Sequence, residues 1–174
     1  MTSSSAPTGK PVSKERSRPA RTDYAGAVYG SLLAASVVAT AGTAGSFPRL
    51  ELMMLLIVTG LVFWAAHVYA QVAGERIVGQ SIDRREVRRV AGHEWSIVEA
   101  ALLPAAAVAI SPLLRLDLAG TAWLALSVAV AQQVTWATVG AVRAGASRRM
   151  AVGEGLANLL LGLVIVAAKA ALGH

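Results

Sequence analysis

The sequence contains no cysteine, and among its 174 residues histidine occurs only as His67, His93 and His174. Disulfide bonds and thiolate metal ligands are therefore excluded, and a zinc site built from several histidines of one chain is disfavoured. Charge is also scarce, since Asp, Glu, Lys and Arg make up 15% of the chain whereas hydrophobic residues make up 55%. This composition is too apolar for a soluble domain of this length, so the apolar residues must meet lipid.

The apolar residues lie in five long blocks, and short alternating runs are lacking, which argues against a transmembrane β-barrel. A helix rises about 1.5 Å per residue and needs about 20 residues to cross the hydrocarbon layer of a bilayer. Each block is near or above that length. We therefore predict an all-α integral membrane bundle of five transmembrane helices, with spans at about 24–45, 52–73, 96–114, 118–142 and 151–172.

Residues 1–23 are rich in Ser, Thr and Pro and carry five basic residues against two acidic ones. Such a segment cannot bury a core, so we predict a disordered basic cytoplasmic tail before a transmembrane domain at 24–174. A cleaved signal peptide is the alternative, because basic residues precede an apolar run and Ala39-Thr40-Ala41 resembles a cleavage site. The long leader, and the tyrosines and glycines within the run, favour a retained first span.

Basic residues in the connections set the expected orientation, because Lys and Arg flanks are retained in the cytoplasm. The tail, the four connections and the C-terminal end contain 5, 1, 5, 1, 3 and 1 basic residues in turn. This alternation predicts a multi-pass protein of the cell membrane with a cytoplasmic N-terminus and an extracytoplasmic C-terminus. The net charge of +6 follows mostly from that topology. We expect the cytoplasmic Arg and Lys residues to attract anionic lipid headgroups of the bilayer, and we expect no nucleic-acid binding.

The second cytoplasmic connection contains the sequence DRREVRRV at 83–90. Opposite charges three and four residues apart indicate a short surface helix there. A solvated helix that faces lipid explains this segment better than a catalytic element does.

Polar side chains inside the apolar spans are the candidate functional residues, because hydrocarbon disfavours them unless they face protein or water. Trp64, His67, Gln71 and Glu75 follow one face of the second span at spacings of three and four residues. In the predicted orientation nearly all such groups fall in the cytoplasmic half, and almost none in the outer half. We hypothesise a hydrated site for a cation or proton, with His67 able to titrate near neutral pH. Its predicted members are His67, Gln71, Glu75, Glu99, Gln132, Glu154 and Asn158.

Some members of this set also have a structural interpretation at a helix start. Glu99 follows Ser96 by three residues directly before an apolar run, which is the capping-box pattern Ser-x-x-Glu. In that pattern each side chain binds the backbone N–H of the other residue. Glu154 lies in the first turn of the last span, where the helix dipole favours a carboxylate.

Other members have alternatives within or beside the bundle. His67 can form a hydrogen bond to a neighbouring helix, and Glu75 can face water at the interface. Gln132 and Gln133 are adjacent and cannot share one helical face, so only one of them is expected to point at the site.

Small residues in the first span predict a close helix contact. Gly26, Gly30 and Ala34 recur at four-residue intervals and extend the Gly-x-x-x-Gly pattern, which lets two backbones touch. The pattern fits a homodimer and packing within the monomer equally well.

Motifs typical of enzymes are lacking. His93-Glu94 lacks the second histidine of a zinc-protease helix, and the chain has neither Gly-x-Ser-x-Gly nor a phosphate-binding glycine loop. We therefore expect no enzymatic activity and no cofactor.

Three segments of the C-terminal half carry a resemblance: EAALLP at 99–104, SPLL at 111–114 and VGAVRA at 139–144, followed by a glycine-rich last span. Together with the five-span layout they are similar to the vacuolar iron transporter family. The resemblance implies transport of iron or manganese, and it carries over one residue, Glu75 of Gly74-Glu75. The glutamate-rich metal-binding region of that family is replaced here by a short basic connection.

These observations predict a small integral membrane protein that binds or transports a cation or proton through a polar site in the cytoplasmic half of the bundle. The alternative is a non-transporting membrane subunit or partner-binding protein whose polar residues are structural. The two hypotheses differ in whether His67, Gln71, Glu99 and Asn158 meet around one cavity.

Overall fold

A computed structural model describes residues 24–41, 49–74 and 83–172, and this part of the chain contains six α-helices and no strand. The helices are α1 Tyr24–Ala41, α2 Arg49–Gly74, α3 Arg84–His93, α4 Ser96–Ile110, α5 Leu118–Arg143 and α6 Arg148–Leu172. The predicted all-α class is confirmed. The predicted tail at 1–23 and Glu75 lie outside the described residues.

Four of the helices, α1, α2, α5 and α6, are long and apolar enough to cross a membrane. α3 and α4 meet at an angle of about 40° and add a fifth candidate span if the bent pair is one unit. The described residues therefore provide four to five candidate membrane spans.

Local sequence explains where several helices begin and end. The carboxylates of Asp83 and Asp117 accept the backbone N–H of Arg85 at 3.0 Å and of Gly120 at 2.7 Å, so that aspartate caps the start of both α3 and α5. α5 ends before Gly145, which adopts a φ of +85°, a left-handed conformation that glycine tolerates without steric cost.

α1 lies at the centre of the bundle, where it packs against α5, α4, α2 and α6. α4 packs between α2 and α5, and α6 packs mainly on α5. The core consists largely of small residues, so the helices approach closely. α2 and α6 lie at the periphery and expose many large apolar side chains, among them Val62, Tyr69, Leu160 and Val164.

The small residues at four-residue intervals in α1 pack against other helices of the same chain. Gly26, Gly30 and Ala34 are all buried. A Cβ atom at Gly30 would lie 2.8 Å from the Ala100 Cβ and 2.9 Å from the Ile97 carbonyl oxygen, so only glycine permits this contact between α1 and α4. Because α4 occupies this face, it is not free to bind a second copy of the chain.

Contacts between helix termini define two ends of the bundle. A Cβ at Gly140, near the end of α5, would touch the Tyr24 side chain at the start of α1. Gly155, near the start of α6, similarly lies against Thr138 of α5. We call this the proximal end, where α1, α4 and α6 begin and α2 and α5 end. The distal end is the opposite one.

Candidate functional site

The polar face of α2 holds the turn between α3 and α4 at the proximal end. Glu94 lies in this turn and is only 3% exposed, and its Oε1 accepts a hydrogen bond of 3.2 Å from the Gln71 amide. The Trp64 indole N–H donates to the Ala91 carbonyl oxygen at 2.9 Å. The rings of Trp64 and Trp95 also meet edge to face, with centroids 5.5 Å apart. Gln71, a predicted site residue, is therefore paired with a buried carboxylate.

Glu94 has an unusual environment for a buried charge. Its hydrogen-bond partner is a neutral amide, and no Lys, Arg or His among the described residues forms an ion pair with it. Buried carboxylates are normally paired or bound to a metal, because desolvation strongly disfavours an isolated charge. Sequence reasoning missed Glu94 as a site residue because it lies in a connection, outside the apolar blocks.

His67 lies close to Gln71 along α2 but faces a different helix. Its ring packs against Tyr29 of α1 with centroids 5.0 Å apart, and Tyr29 also contacts Phe63 at 6.4 Å. The His67 Nδ1 lies 3.3 Å from the Phe63 carbonyl oxygen, one turn earlier in the same helix. His67 is thus part of an aromatic group between α1 and α2, and its contacts do not include Glu94.

A second polar pair joins α5 to α6. Gln133 is fully buried, and its amide N–H groups donate to the Asn158 carbonyl oxygen at 3.0 Å and to Asn158 Oδ1 at 3.2 Å. The Asn158 side chain in turn donates to the Glu154 carbonyl oxygen at 3.0 Å. The backbone of Glu154 takes part in this pair, whereas its side chain is exposed.

The adjacent glutamine has no such partner. Gln132 is 8% exposed, and its Oε1 is buried without a hydrogen bond among the described residues. Of the two glutamines it is Gln133, not the predicted Gln132, that contacts Asn158. The sequence indicates that the two side chains diverge, but not which of them faces α6.

Glu99 is exposed on α4, and the capping box predicted for it does not form. The Ser96 hydroxyl is buried without a partner among the described residues. The reason lies in the chain before α4: Trp95 already has helical φ and ψ, and its carbonyl oxygen accepts the Glu99 N–H at 3.1 Å. The backbone group that a capping serine would bind is therefore already satisfied, and the capping-box interpretation is wrong.

The distal end contains polar contacts that the sequence analysis did not expect. Arg49 Nε donates to Ser111 Oγ at 3.0 Å and to Thr121 Oγ1 at 3.3 Å, and its Nη2 donates to the Leu116 carbonyl oxygen. Thr121 Oγ1 also donates to Ser111 Oγ at 2.9 Å. Arg49 thus fastens the start of α2 to the connection between α4 and α5.

Lys169 is a second cation near the distal end and is only 7% exposed. Its Nζ donates to the Val38 carbonyl oxygen in the last turn of α1 at 3.4 Å, and lies 5.8 Å from the centroid of the Trp123 ring. A cation is favourable at a helix C-terminus, where carbonyl oxygens lack intrahelical partners. The expectation that this half of the bundle has almost no buried polar groups is therefore wrong.

Those predicted site residues that the structure describes form separate contacts: Gln71 with Glu94, His67 with Tyr29, and Asn158 with Gln133. Within the part of the chain that the structure describes, no group of three His, Asp or Glu side chains could hold a metal ion. A shallow crevice lies between α1, α2 and α4, and it is lined by small and apolar residues such as Gly30, Leu56 and Ala101.

Comparisons with known proteins assign no family to the chain. No family model, no curated protein and no solved structure matches it. Any function must therefore be argued from the contacts described above.

Proposed function

We propose that the chain is a multi-pass cell-membrane protein of five spans in which α3 is a surface helix and α4 is the third span. The contacts of α4 support this count. Just before the start of α4, Glu94 binds Gln71 near the end of α2. Just after the end of α4, Ser111 binds Arg49 at the start of α2. α4 therefore runs beside α2 over its own length, which is about 22 Å for its 15 residues.

The alternation of basic residues supports an orientation with the proximal end in the cytoplasm and the distal end outside. The exposed apolar side chains of α2 and α6 then face lipid, which needs no other partner to cover them.

Within this membrane bundle, the polar residues best fit a non-transporting subunit whose buried polar groups hold helices together. One observation carries this proposal: the polar contacts are separate, and each joins a different pair of elements. Gln71 and Glu94 join α2 to the α3–α4 turn, and Gln133 joins α5 to Asn158 of α6. Such hydrogen bonds between helices stabilise membrane bundles by about 0.6–2 kcal/mol each.

The packing between these contacts supports the same proposal. The core of the distal half consists of apolar, mostly small side chains from α1, α2, α4 and α5. An ion that crossed the bundle would have to lose its hydration there without gaining polar partners, which is strongly unfavourable. The core residues include Ala35, Val38, Leu56, Val108, Ala125 and Leu126.

A flux measurement tests the proposal. The full chain is reconstituted in liposomes that contain a pH-sensitive dye or a dye quenched by Mn²⁺, and a gradient of protons or Mn²⁺ is applied. We expect uptake no faster than in protein-free liposomes. Uptake that is lost in Glu94→Gln but kept in Glu99→Gln, a matched change at an exposed carboxylate of the same region, would overturn it.

A second candidate function, the binding or transport of a cation or proton, is favoured by Glu94 itself. A buried carboxylate whose hydrogen-bond partner is neutral is a common feature of proton and cation sites in membrane proteins. The resemblance to the vacuolar iron transporter family would add Glu75, which follows Gln71 by four residues in the sequence. This candidate predicts saturable binding of Mn²⁺ to the purified chain in calorimetry, with the binding lost in Glu94→Gln and retained in Glu99→Gln.

A further inference from the structure

α3 has two chemically different faces. Val90 is buried against the bundle, and the Ala91 carbonyl oxygen accepts the Trp64 N–H from α2. Arg84, Arg85 and Arg88 lie on the opposite side and are exposed. At about 100° per residue these three arginines fall within an arc of about 100°, so their guanidinium groups can approach one surface together.

The charge on this exposed face is largely uncompensated. No ion pair involves Arg84, Arg85 or Arg88 among the described residues, whereas Arg89 is paired with Glu86. The nearest other acid, Asp83, caps the helix by accepting the Arg85 N–H. The face therefore attracts anions and is not neutralised by the residues that the structure describes.

The position of α3 is fixed by its contacts with α2 and α4. The Gln71–Glu94 hydrogen bond and the packing of Trp64 on Trp95 hold the helix beside the proximal end of α2. The bend of about 40° directs α3 away from the axis of α4. Trp95 is exposed in the turn that follows α3, and aromatic residues of this kind are enriched at the level of lipid headgroups.

We propose that α3 binds anionic phospholipid headgroups of the cytoplasmic leaflet through Arg84, Arg85 and Arg88. Guanidinium groups bind phosphate oxygens in a bidentate geometry, and the negative charge of the leaflet complements the positive charge of the helix face. Because the helix is already folded and anchored, binding requires no ordering of the backbone. The inference rests on the proposed membrane topology, in which the proximal end is cytoplasmic.

Lipid retention by the purified full chain tests the inference. The protein is exchanged in detergent with equimolar phosphatidylglycerol and phosphatidylcholine, and bound lipids are counted by native mass spectrometry. We expect wild type to retain phosphatidylglycerol about tenfold more than phosphatidylcholine. In Arg84→Gln/Arg85→Gln/Arg88→Gln the preference should fall to nearly equal retention.

A matched variant distinguishes the effect of the α3 face on lipid retention from the effect of total positive charge. Arg143, Arg148 and Arg149 are also exposed at the proximal end, so changing these three to Gln removes the same charge from the α5–α6 connection. This control should keep most of the preference, and a lysine triple variant at 84, 85 and 88 should keep part of it. Wild type without a preference, or an equal loss in the control, would overturn the inference.

A wrong membrane orientation can be distinguished from a wrong assignment of lipid binding to α3. If labelling of the proximal end shows that it faces outward, the proposed orientation is wrong whatever lipids the detergent-purified chain retains. If the proximal end is cytoplasmic and no lipid preference is found, only the role of α3 is wrong.

Discussion

At the scale of single residues, Gln132 and Gln133 offer a direct comparison, because they are chemically identical neighbours with different surroundings. Gln133 donates two hydrogen bonds to Asn158, whereas Gln132 forms none with the described part of the chain; the Oε1 atoms of both side chains are buried without a partner there. Replacing Gln133 by Leu should lower the free energy of unfolding by about 1–3 kcal/mol, because Asn158 loses its donor. Replacing Gln132 by Leu should change it by less than about 0.5 kcal/mol or raise it, since an unpaired polar atom is removed and no hydrogen bond is lost.

Thermal unfolding of both variants in the same detergent measures the difference. Wild type provides the reference, and the two substitutions change the side-chain volume equally. Equal destabilisation of both variants would show that the Gln133–Asn158 pair does not hold α5 to α6.

The same residues show what a sequence can predict about a polar site. The helical repeat identifies which polar residues share a face; Asn158 is buried, whereas Gln71 is exposed and binds Glu94. The partner across an interface depends on the rotation of the other helix, so Glu94 and Gln133 were not found. In the sequence, Lys169 was used only to predict membrane orientation. Its burial depends on contacts with Val38 of α1 and Trp123 of α5, which the sequence does not reveal.

At the scale of elements, the close contact of α1 with α4 depends on glycine. A Cβ atom at Gly30 would meet the Ala100 Cβ and the Ile97 main chain at 2.8–3.0 Å, whereas one at Gly153 in α6 would meet no atom within 4 Å. We expect Gly30→Ala to destabilise the bundle by about 1–3 kcal/mol, because α1 and α4 must move apart. Gly153→Ala should be neutral or stabilising by about 0.5–1 kcal/mol, because alanine favours the helix.

Resistance to unfolding by SDS, followed by circular dichroism, compares the two alanine variants with wild type. The assignment of the Gly30 face to packing within the monomer fails if Gly30→Ala leaves this resistance unchanged. A loss of resistance in both variants would instead indicate a general effect of alanine in these helices.

α5 begins at Leu118 and ends at Arg143, where an apolar block meets charged or turn residues. α4 begins at Ser96, but the chain enters it from a preceding turn of helical geometry, so the predicted cap does not form. A capping motif is recognised by its residue types, but it functions only where the preceding residue leaves the helical conformation. The sequence between α3 and α4 carries no proline or glycine that would enforce such a departure.

At the scale of the whole molecule, the absence of cysteine makes the topology directly measurable, since each introduced thiol is the only one in the chain. Leu113 lies at the distal end and Ala144 at the proximal end, and both side chains are exposed. In intact bacterial cells, a membrane-impermeant maleimide should label Leu113→Cys and should label Ala144→Cys only after permeabilisation. This outcome is expected because three arginines retain the α5–α6 connection in the cytoplasm while Arg115 alone flanks the distal turn.

The two labels also distinguish five spans from four. α5 separates the two sites and is 26 residues long, which corresponds to about 39 Å and is sufficient to cross a bilayer. If α3 and α4 formed a re-entrant loop instead of a span, the turn at Leu113 would lie on the same side as α3 and would be protected in intact cells. Labelling of Leu113→Cys in intact cells, with protection of a cysteine at exposed Arg84, therefore requires that α4 crosses the membrane.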